Sequence, residues 1–294
     1  MKKPLFEGTA TALVTPFTKT GVDFKALDAI LDYQLQNGVN AVVVLGTTGE
    51  PATMSEEEKE AVVRLALQKL KGKIPVVVGA GANDTKKTII NVQEAERMGA
   101  DGVLAVTPYY NKCTQTGLLK HYAAIANSTT LPVIVYNVPS RTGVNVLPET
   151  FSRLADIDNV VGIKEASGNM AQICKVASLI KDKATLYSGD DGITVPVMSV
   201  GGKGVISVAS NVVPKLVSEM TRASLLKDFE TAMEKQLLLT PLVEALFKEV
   251  NPIPVKKACE LLGLCSARVR LPLTHASKKT ANALKNELAK LIDF

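Results

Sequence analysis

The sequence predicts a (β/α)8 barrel followed by a C-terminal helical region, and three observations indicate this fold. First, short apolar runs rich in Val and Ile alternate with amphipathic stretches of helix length, which is typical of parallel strands joined by crossover helices. Second, eight such units occupy roughly the first 225 residues, close to the ~250 residues in which such a barrel closes. Third, the strand signal then stops and only helical patterns follow.

Each predicted strand is a short apolar run with a polar loop after it. The eight runs are Thr11–Val14, Ala41–Leu45, Pro75–Val78, Gly102–Val106, Pro132–Tyr136, Val160–Lys164, Thr185–Tyr187 and Gly204–Ser207. Helix start signals lie between them. Ser55 and Glu58 have the spacing of a capping box, in which each side chain pairs with a free backbone N–H of the other residue. Asp23 and Thr85 are predicted to cap the helices after the first and third strands.

The C-terminal part of the chain reads as helical. Its predicted helices are Asp228–Glu249, Pro254–Leu262 and Thr274–Ile292. We therefore expect a barrel in residues 1–224 and a helical region in residues 225–294. The alternative fold is a doubly wound open sheet, which normally has a glycine-rich phosphate-binding turn after its first strand. Thr15–Phe17 follows the first strand here and is no such turn.

Composition excludes several classes of protein. Of the 294 residues, 46% are hydrophobic and 21% are charged, which is ordinary for a globular protein and excludes a disordered chain. The net charge of +5 comes without a long run of Lys or Arg, so we expect no nucleic-acid partner. We find no signal-peptide core and no apolar stretch near the ~18 residues that cross a bilayer, so we expect a cytoplasmic protein that does not contact membranes.

The cysteines and histidines lack the spacing of metal ligands. The two histidines, His121 and His275, are far apart, and the four cysteines contain no C-x-x-C pair. The cysteines are Cys113, Cys174, Cys259 and Cys265. We expect four buried thiols and no metal site. We also expect no cofactor, because neither a complete dinucleotide fingerprint nor a Gly-Lys-Ser/Thr phosphate loop occurs.

Lys164 is the strongest candidate for catalysis, since it ends the sixth predicted strand and active sites of such barrels lie at the C-terminal ends of the strands. Side chains alternate along a strand, so Lys164 shares a face with Gly162 and Val160, whereas Glu165 points the other way. Gly162 leaves room for a long side chain on the barrel axis. Apolar walls favour the neutral amine, which attacks a ketone to form a Schiff base. The competing interpretation is a strand-terminal lysine that reaches solvent.

Polar residues at neighbouring strand ends suit this chemistry. Tyr136 ends the fifth strand, and adjacent strands lie only ~4.8 Å apart. Imine formation needs protons moved on and off the carbinol oxygen, and a tyrosine coupled through Thr47 to Tyr110 provides a relay to bulk water. Arg141 is placed to bind a carboxylate bidentately. Each of these residues also has a purely structural interpretation, as a packed aromatic, a loop threonine or a surface cation.

Six segments of the sequence match motifs of a known family in the same order. They are Gly46–Glu50, Thr107–Asn111, Tyr136–Gly143, Ile163–Gly168, Ser188–Asp191 and Asn251–Lys256. Together they resemble the dihydrodipicolinate synthase family of pyruvate-dependent class I aldolases, which includes N-acetylneuraminate lyase. The resemblance runs from about Phe6 to Leu273, nearly the whole chain.

The resemblance implies a Schiff-base condensation of pyruvate with aspartate-4-semialdehyde to 4-hydroxy-tetrahydrodipicolinate, a step toward lysine and diaminopimelate. By this resemblance Lys164 forms the Schiff base with pyruvate, and Tyr136 is the general acid and base at its carbinol. Thr47 links Tyr136 to Tyr110, which enters from the neighbouring subunit. The resemblance therefore implies a homodimer or a homotetramer made of two tight dimers.

The resemblance also implies the substrate-binding residues. Thr48 holds the pyruvate carboxylate, and the backbone at Gly189 and Ile206 lines the pyruvate pocket. Arg141 binds the carboxylate of aspartate semialdehyde, an acceptor that sister lyases without this arginine do not use.

Two other functions stay open at this stage. One is a sister lyase, such as a 2-keto-3-deoxy sugar acid aldolase or N-acetylneuraminate lyase, with the same Lys164 imine and another acceptor pocket. The other is a catalytically silent barrel that binds a small keto acid or acts as a scaffold. The set of Lys164, Tyr136, Thr47 and Tyr110 argues against the silent barrel, because a binding protein needs no proton relay.

Regulation is predicted to differ from that of family members inhibited by lysine. The resemblance places their inhibitor cleft at Glu56, Lys59 and Lys87, with Asn83 and Tyr109 retained. Lys87 stands where a carboxylate meets the ammonium of the ligand, which reverses the attraction. We expect lysine feedback to be weak or absent.

Overall fold

Eight strands pair in sequence order, each parallel to its neighbours, and the last pairs with the first to close a barrel. The fold predicted from the alternating pattern is therefore confirmed. The computed structural model describes residues 2–291. The strands are β1 Gly8–Ala12, β2 Ala41–Val44, β3 Val76–Gly79, β4 Gly102–Val106, β5 Val133–Asn137, β6 Val160–Glu165, β7 Thr185–Ser188 and β8 Gly204–Ser207.

Helices follow the strands and surround the barrel, and three more helices lie at the C-terminal end of the chain. The helices of the described residues are α1 Phe24–Gln36, α2 Glu56–Leu70, α3 Thr85–Met98, α4 Gln115–Ala126, α5 Pro139–Thr142, α6 Pro148–Leu154, α7 Met170–Ile180, α8 Thr194–Ser199, α9 Pro214–Leu225, α10 Phe229–Leu246, α11 Ile253–Leu261 and α12 Lys278–Leu291. The three C-terminal helices were all predicted. Ile292, the predicted end of the last, lies outside the described residues, and the division at residues 224 and 225 stays a prediction.

The helix start signals explain most of these boundaries. The capping box at Ser55 is present, and the Asp23 carboxylate caps α1 as predicted. The prediction for α3 was wrong, because Asp84 is its cap and Thr85 its first residue. The Asp84 carboxylate accepts two backbone N–H bonds at once, whereas the Thr85 hydroxyl bonds to Nδ1 of His121 at 2.9 Å.

The first strand and the cysteines also differ from their predictions. The strand begins earlier, at Gly8, and ends at Ala12. Of the four thiols predicted to be buried, all are free, but only Cys259 is buried and Cys174 is exposed. Among the helices of residues 2–291, none combines the length and the apolar character that a bilayer crossing requires.

The apolar core has two layers, one on each face of the sheet. One layer packs the outer face of the sheet against the helices. The other fills the inside of the barrel and includes Tyr136, Tyr187 and Ile206. Because side chains alternate along each strand, polar residues on the inner face at the C-terminal end converge on the barrel axis.

Candidate active site at the C-terminal end of the barrel

Lys164 on β6 and Tyr136 on β5 are register partners in adjacent parallel strands. Both side chains are almost completely buried, at 5% and 7% exposure. Lys164 Nζ lies 4.3 Å from the centre of the Tyr136 ring. The amine is therefore buried at the mouth of the barrel, next to a phenol. It does not extend into solvent, so the competing interpretation of a solvent-exposed lysine is wrong.

The space beside Gly162 is occupied differently from the prediction. A Cβ on this glycine would lie 2.8 Å from the carbonyl oxygen of Thr185 and 3.1 Å from Cε2 of Tyr187. Gly162 therefore makes room for the Tyr187 ring and not for the Lys164 side chain. Tyr187 is fully buried, and its ring stacks on Phe6 with centres 4.3 Å apart, so a rigid aromatic pair occupies the inside of the barrel.

Val160 does not share the face of Lys164, because the pairing of β5 with β6 is irregular near its start. Val133 pairs with Val160, whereas the next residue, Ile134, pairs with Gly162. The intervening Val161 packs inside the barrel, and Val160 packs in the outer layer. The simple alternation used in the prediction fails at this β-bulge.

Glu165 points away from Lys164, as predicted, and forms a buried network of its own. Its Oε2 accepts from Asn137 Nδ2 at 2.9 Å, and its Oε1 accepts from the backbone N–H of Ser167 at 2.7 Å. Asn137 is the register partner of Glu165. This hydrogen bond ties β5 to β6 one residue beyond Tyr136 and Lys164, and so fixes the relative position of that pair.

The loop after β2 carries Thr47 and Thr48. Thr47 is half-buried and lines the cavity above the barrel, while Thr48 is buried, with its hydroxyl accepting from Asn251 Nδ2 at 2.9 Å. Glu50 ends the loop with φ of 56° and forms a buried ion pair with Lys256, with Oε1 2.5 Å from Nζ. Two residues of the C-terminal region therefore fix this loop.

Gly189, which follows β7, and Ile206, in β8, lie near the Lys164–Tyr136 pair. A Cβ on Gly189 would lie 3.1 Å from Lys164 Cε and 2.6 Å from Ala166 Cβ, so only glycine lets the backbone approach the lysine this closely. Ile206 is buried and packs in the same inner layer as Tyr136. The structure thus places both predicted pocket residues beside the Lys164–Tyr136 pair or its supporting core.

Asp191 joins the segments after β7 and β8. Its Oδ2 accepts from the backbone N–H groups of Val208 and Ala209 at 2.8 and 3.1 Å. Burial raises the pKa of this carboxyl group, and the hydrogen bonds that it accepts oppose the rise. Asp191 therefore holds the segment after Gly189 against the segment after Ile206.

Arg141 lies on α5 at the rim of a cavity of about 770 Å³ that Tyr136 and Thr47 also line. Its side chain is exposed, and Nη2 donates to the backbone carbonyl oxygen of Asn251 at 3.1 Å. Within the described residues, the Arg141 guanidinium makes no other side-chain hydrogen bond, so its remaining N–H groups are available to bind a carboxylate.

Tyr110 is not brought into this cavity by its own chain. It is 90% exposed and has φ of 70°, a strained conformation for an aromatic residue. Within residues 2–291, no hydrogen bond joins Thr47 to either Tyr136 or Tyr110, so the predicted relay is not assembled in a single chain.

The same cavity extends along α2 and α3 to the predicted inhibitor cleft. Asn83 and Tyr109 line it, and the Glu56 carboxylate lies 3.3 Å from both Lys59 Nζ and Lys87 Nζ. Burial raises the pKa of Glu56, but its hydrogen bonds to the two lysines outweigh this effect and lower the pKa overall. Its charge is therefore already shared between two ammonium groups.

The comparisons with known proteins agree with this arrangement. A family model described as the dihydrodipicolinate synthetase family matches residues 5–291. The chain belongs to this family. A 4-hydroxy-tetrahydrodipicolinate synthase from Alkaliphilus oremlandii is 49% identical over 286 residues, which are 97% of this chain and 99% of that relative.

Solved structures of family members share the whole fold. A crystal structure of dihydrodipicolinate synthase from Thermotoga maritima matches with a TM-score of 0.96 at 49% identity, over 98% of this chain and 99% of that chain. A family member from Cyanidioschyzon merolae, solved with lysine bound, matches with a TM-score of 0.94 at 39% identity, over 99% of this chain and 100% of the other. The dihydrodipicolinate synthetase family thus accounts for both the barrel and the C-terminal helices.

Sequence reasoning gave no role to several residues that build this site. Asn251, Lys256, Asp191 and Asn137 all fall inside the six matching segments, but the sequence indicates no separate role for any of them. A signal for Lys256 does exist, since it is a charged residue among the apolar positions of α11, which include Val255, Ala258 and Cys259. No local sequence pattern predicts the contact between Asn251 and Thr48, because the two residues are 203 positions apart.

Proposed function

We propose that this protein is a 4-hydroxy-tetrahydrodipicolinate synthase that condenses pyruvate with aspartate-4-semialdehyde through an imine on Lys164. The observation that carries the proposal is the buried pair in which Lys164 Nζ lies 4.3 Å from the centre of the Tyr136 ring. Membership of the dihydrodipicolinate synthetase family supports the same reaction.

The chemistry begins at the amine. Neutral Lys164 Nζ adds to the keto carbon of pyruvate, and the carbinol oxygen then leaves as water after it receives a proton. The resulting iminium withdraws electrons from the neighbouring methyl group, which loses a proton and becomes the carbon nucleophile that attacks the aldehyde. The Tyr136 ring packs against the amine, so we assign this phenol the transfers of protons to and from the carbinol oxygen.

Two side chains, those of Thr48 and Arg141, bind the carboxylates of the substrates. Thr48 and the backbone at Gly189 and Ile206 surround the keto acid beside Lys164, and Arg141 at the rim binds the carboxylate of the semialdehyde. Arg141 on the cavity rim favours this acceptor over the sugar acids of sister lyases. Placing the two carboxylates at separate sites brings the enamine carbon and the aldehyde together.

The proposed active unit contains two copies of the chain. Tyr110 is 90% exposed with a strained backbone, a combination that supports its insertion into the site of a neighbouring subunit, where it would complete the relay through Thr47. The larger assembly is a homotetramer of two such dimers. The cytoplasmic location stays a prediction.

Borohydride reduction in the presence of pyruvate tests the proposal directly. Reduction makes the imine permanent, and peptide mass mapping should locate the added three-carbon acid on Lys164. Lys256, the fully buried lysine of α11, is an internal control that should stay unmodified. An unlabelled Lys164, or labelling that persists at another site in Lys164→Ala, would refute the imine.

The acceptor is tested separately with purified enzyme and pyruvate. We expect turnover with aspartate-4-semialdehyde and not with sugar-derived aldehydes. Arg141→Ala should raise KM for the semialdehyde more than KM for pyruvate. Labelling of Lys164 with turnover only on a sugar-derived aldehyde would identify a sister lyase instead.

A further inference from the structure

Asn251 contacts both residues to which the proposed function assigns a substrate carboxylate. Its side-chain Nδ2 donates to Thr48 Oγ1 at 2.9 Å, and its backbone carbonyl oxygen accepts from Arg141 Nη2 at 3.1 Å. It is 6% exposed and lies just before α11, in the C-terminal region. A residue outside the barrel strands thus touches both carboxylate-binding groups.

The direction of the first bond matters for the chemistry of Thr48. A threonine hydroxyl has one hydrogen to donate and two lone pairs that accept. Because Asn251 Nδ2 can only donate, it occupies a lone pair of Thr48 Oγ1 and leaves the hydroxyl hydrogen available. Within the described chain no other hydrogen bond involves this hydroxyl, so its hydrogen is free for an incoming acceptor.

Asn251 is itself held firmly. The N–H of Ile253 donates to the carbonyl oxygen of Val250 at 2.9 Å, which closes the turn around Asn251. Further along the same region, Lys256 Nζ lies 2.5 Å from the carboxylate of Glu50. Glu50 is two positions beyond Thr48 in the sequence. The C-terminal region therefore contacts the loop after β2 at two points, and the backbone turn places the amide of Asn251 beside Thr48.

We infer that Asn251 is a positioning residue that orients the Thr48 hydroxyl to donate its hydrogen to the carboxylate of the keto-acid substrate. The inference rests on the proposed function, because it needs the keto acid to occupy the pocket beside Lys164. It adds to that function a requirement for the C-terminal region, which supplies the orienting group. The carbonyl contact to Arg141 is made by backbone and is independent of the side chain.

Two substitutions separate the side-chain contact from the backbone contact. Asn251→Leu replaces the amide with a similarly branched apolar side chain, and Asn251→Asp replaces the donor with an acceptor that takes the Thr48 hydrogen. In both variants we expect the pyruvate concentration that half-saturates borohydride trapping at Lys164 to rise about tenfold, as for the loss of one oriented hydrogen bond to a charged group. KM for aspartate-4-semialdehyde should change little, since the backbone carbonyl remains.

A Thr48→Val background distinguishes positioning from a general structural role. If Asn251 acts through Thr48, its substitution should have no further effect on half-saturation when the hydroxyl is absent. An equal rise in that background would overturn the inference, and so would unchanged half-saturation in the folded fraction of either variant, measured alongside circular dichroism. Failure of the proposed function is recognisable separately, because wild-type protein would then show no trapping at all.

Discussion

The hydroxyl group of Tyr136 carries the proton transfers of the proposed reaction, and a single-atom change tests it. Tyr136→Phe keeps the ring that packs over Lys164 Nζ and removes only the proton carrier. We expect turnover to fall about a hundredfold or more, with an unchanged melting temperature. Tyr33→Phe is the matched control, because its hydroxyl donates to the backbone of Val212 outside the cavity, and turnover should be retained there. Near wild-type turnover in Tyr136→Phe would contradict the assigned role.

His121 gives the protein an acid-sensitive core position. Burial lowers its pKa to about 4 from 6.5, and the nearby Asp84 only partly opposes the shift. The unfolded chain takes up this proton near pH 6.5, whereas the folded protein resists it until about pH 4. Its contribution to the free energy of unfolding is therefore complete above pH 6.5 and is lost as the pH falls toward 4.

The variant His121→Asn should accordingly lose less stability than wild type between pH 6.5 and 4, although it is less stable at pH 7. Thermal melts across this range measure the difference. His275→Asn is the control, since His275 is exposed, and its melting curve should follow that of wild type. If the melting temperatures of wild type and His121→Asn fall equally as the pH is lowered, another group dominates the loss of stability in acid.

At the scale of elements, the ion pair of Lys256 and Glu50 connects α11 to the loop after β2. Lys256 Nζ is completely buried, also donates to the backbone of Arg268 at 2.7 Å, and lies 4.0 Å from the centre of the Phe17 ring. Lys256→Met should cost about 3–5 kcal/mol of unfolding free energy, because it leaves the buried Glu50 carboxylate without its ion-pair partner and with only the backbone N–H of Arg270 as a donor.

Urea denaturation of three variants measures this connection. Adding Glu50→Gln to Lys256→Met should recover much of the loss, since the double variant buries no charge. Lys290→Met removes an exposed ion pair with Glu287, and should change stability by no more than about 0.5 kcal/mol. A double variant no more stable than Lys256→Met would show that the uncompensated Glu50 charge is not the cause of the loss.

These elements also show what sequence patterns can and cannot predict. The order and type of the strands could be predicted from apolar periodicity, because every strand must bury the face that packs against the helices. The start of β1 could not, since Thr9 is polar yet buried, as is Thr11, at which the predicted strand begins. Their hydroxyl groups pair with Thr221 at 2.9 Å and Gln34 at 2.7 Å, partners that no local pattern reveals.

The site divides in the same way. Lys164 and Tyr136 were found because each ends an apolar run, and parallel register brings such ends together. Asn251 belongs to a helical region distant in sequence, and its contact with Thr48 arises only when the chain has closed the barrel and returned across its mouth. The bulge that separates Val160 from Val161 is likewise a property of strand pairing and not of one strand.

At the scale of the whole molecule, the surface around Glu56 bears on regulation. Lys59 and Lys87 already pair with this carboxylate, so a ligand ammonium would compete with two fixed cations. We expect sub-millimolar L-lysine to leave turnover unchanged and to give no binding heat in titration calorimetry. Strong inhibition by sub-millimolar lysine would contradict this prediction.

If the relay is assembled across two subunits, two inactive variants should complement each other in a mixed dimer. Tyr110→Phe and Lys164→Ala should each lose most activity. In a mixed dimer, the subunit carrying Tyr110→Phe keeps its own Lys164 and receives an intact tyrosine from its partner, so one complete site forms. Co-expression with two affinity tags should therefore recover up to about half of the wild-type turnover per dimer.

The matched control pairs Tyr136→Phe with Lys164→Ala. Tyr136 and Lys164 are neighbours within one barrel, so neither subunit of that mixed dimer contains both groups, and no recovery is expected. Recovery in the first pair and not in the second would place Tyr110 alone across the subunit boundary. Absence of recovery in both pairs, with mixed dimers shown by the tags, would mean that each chain completes its own relay and that the exposed Tyr110 has another role.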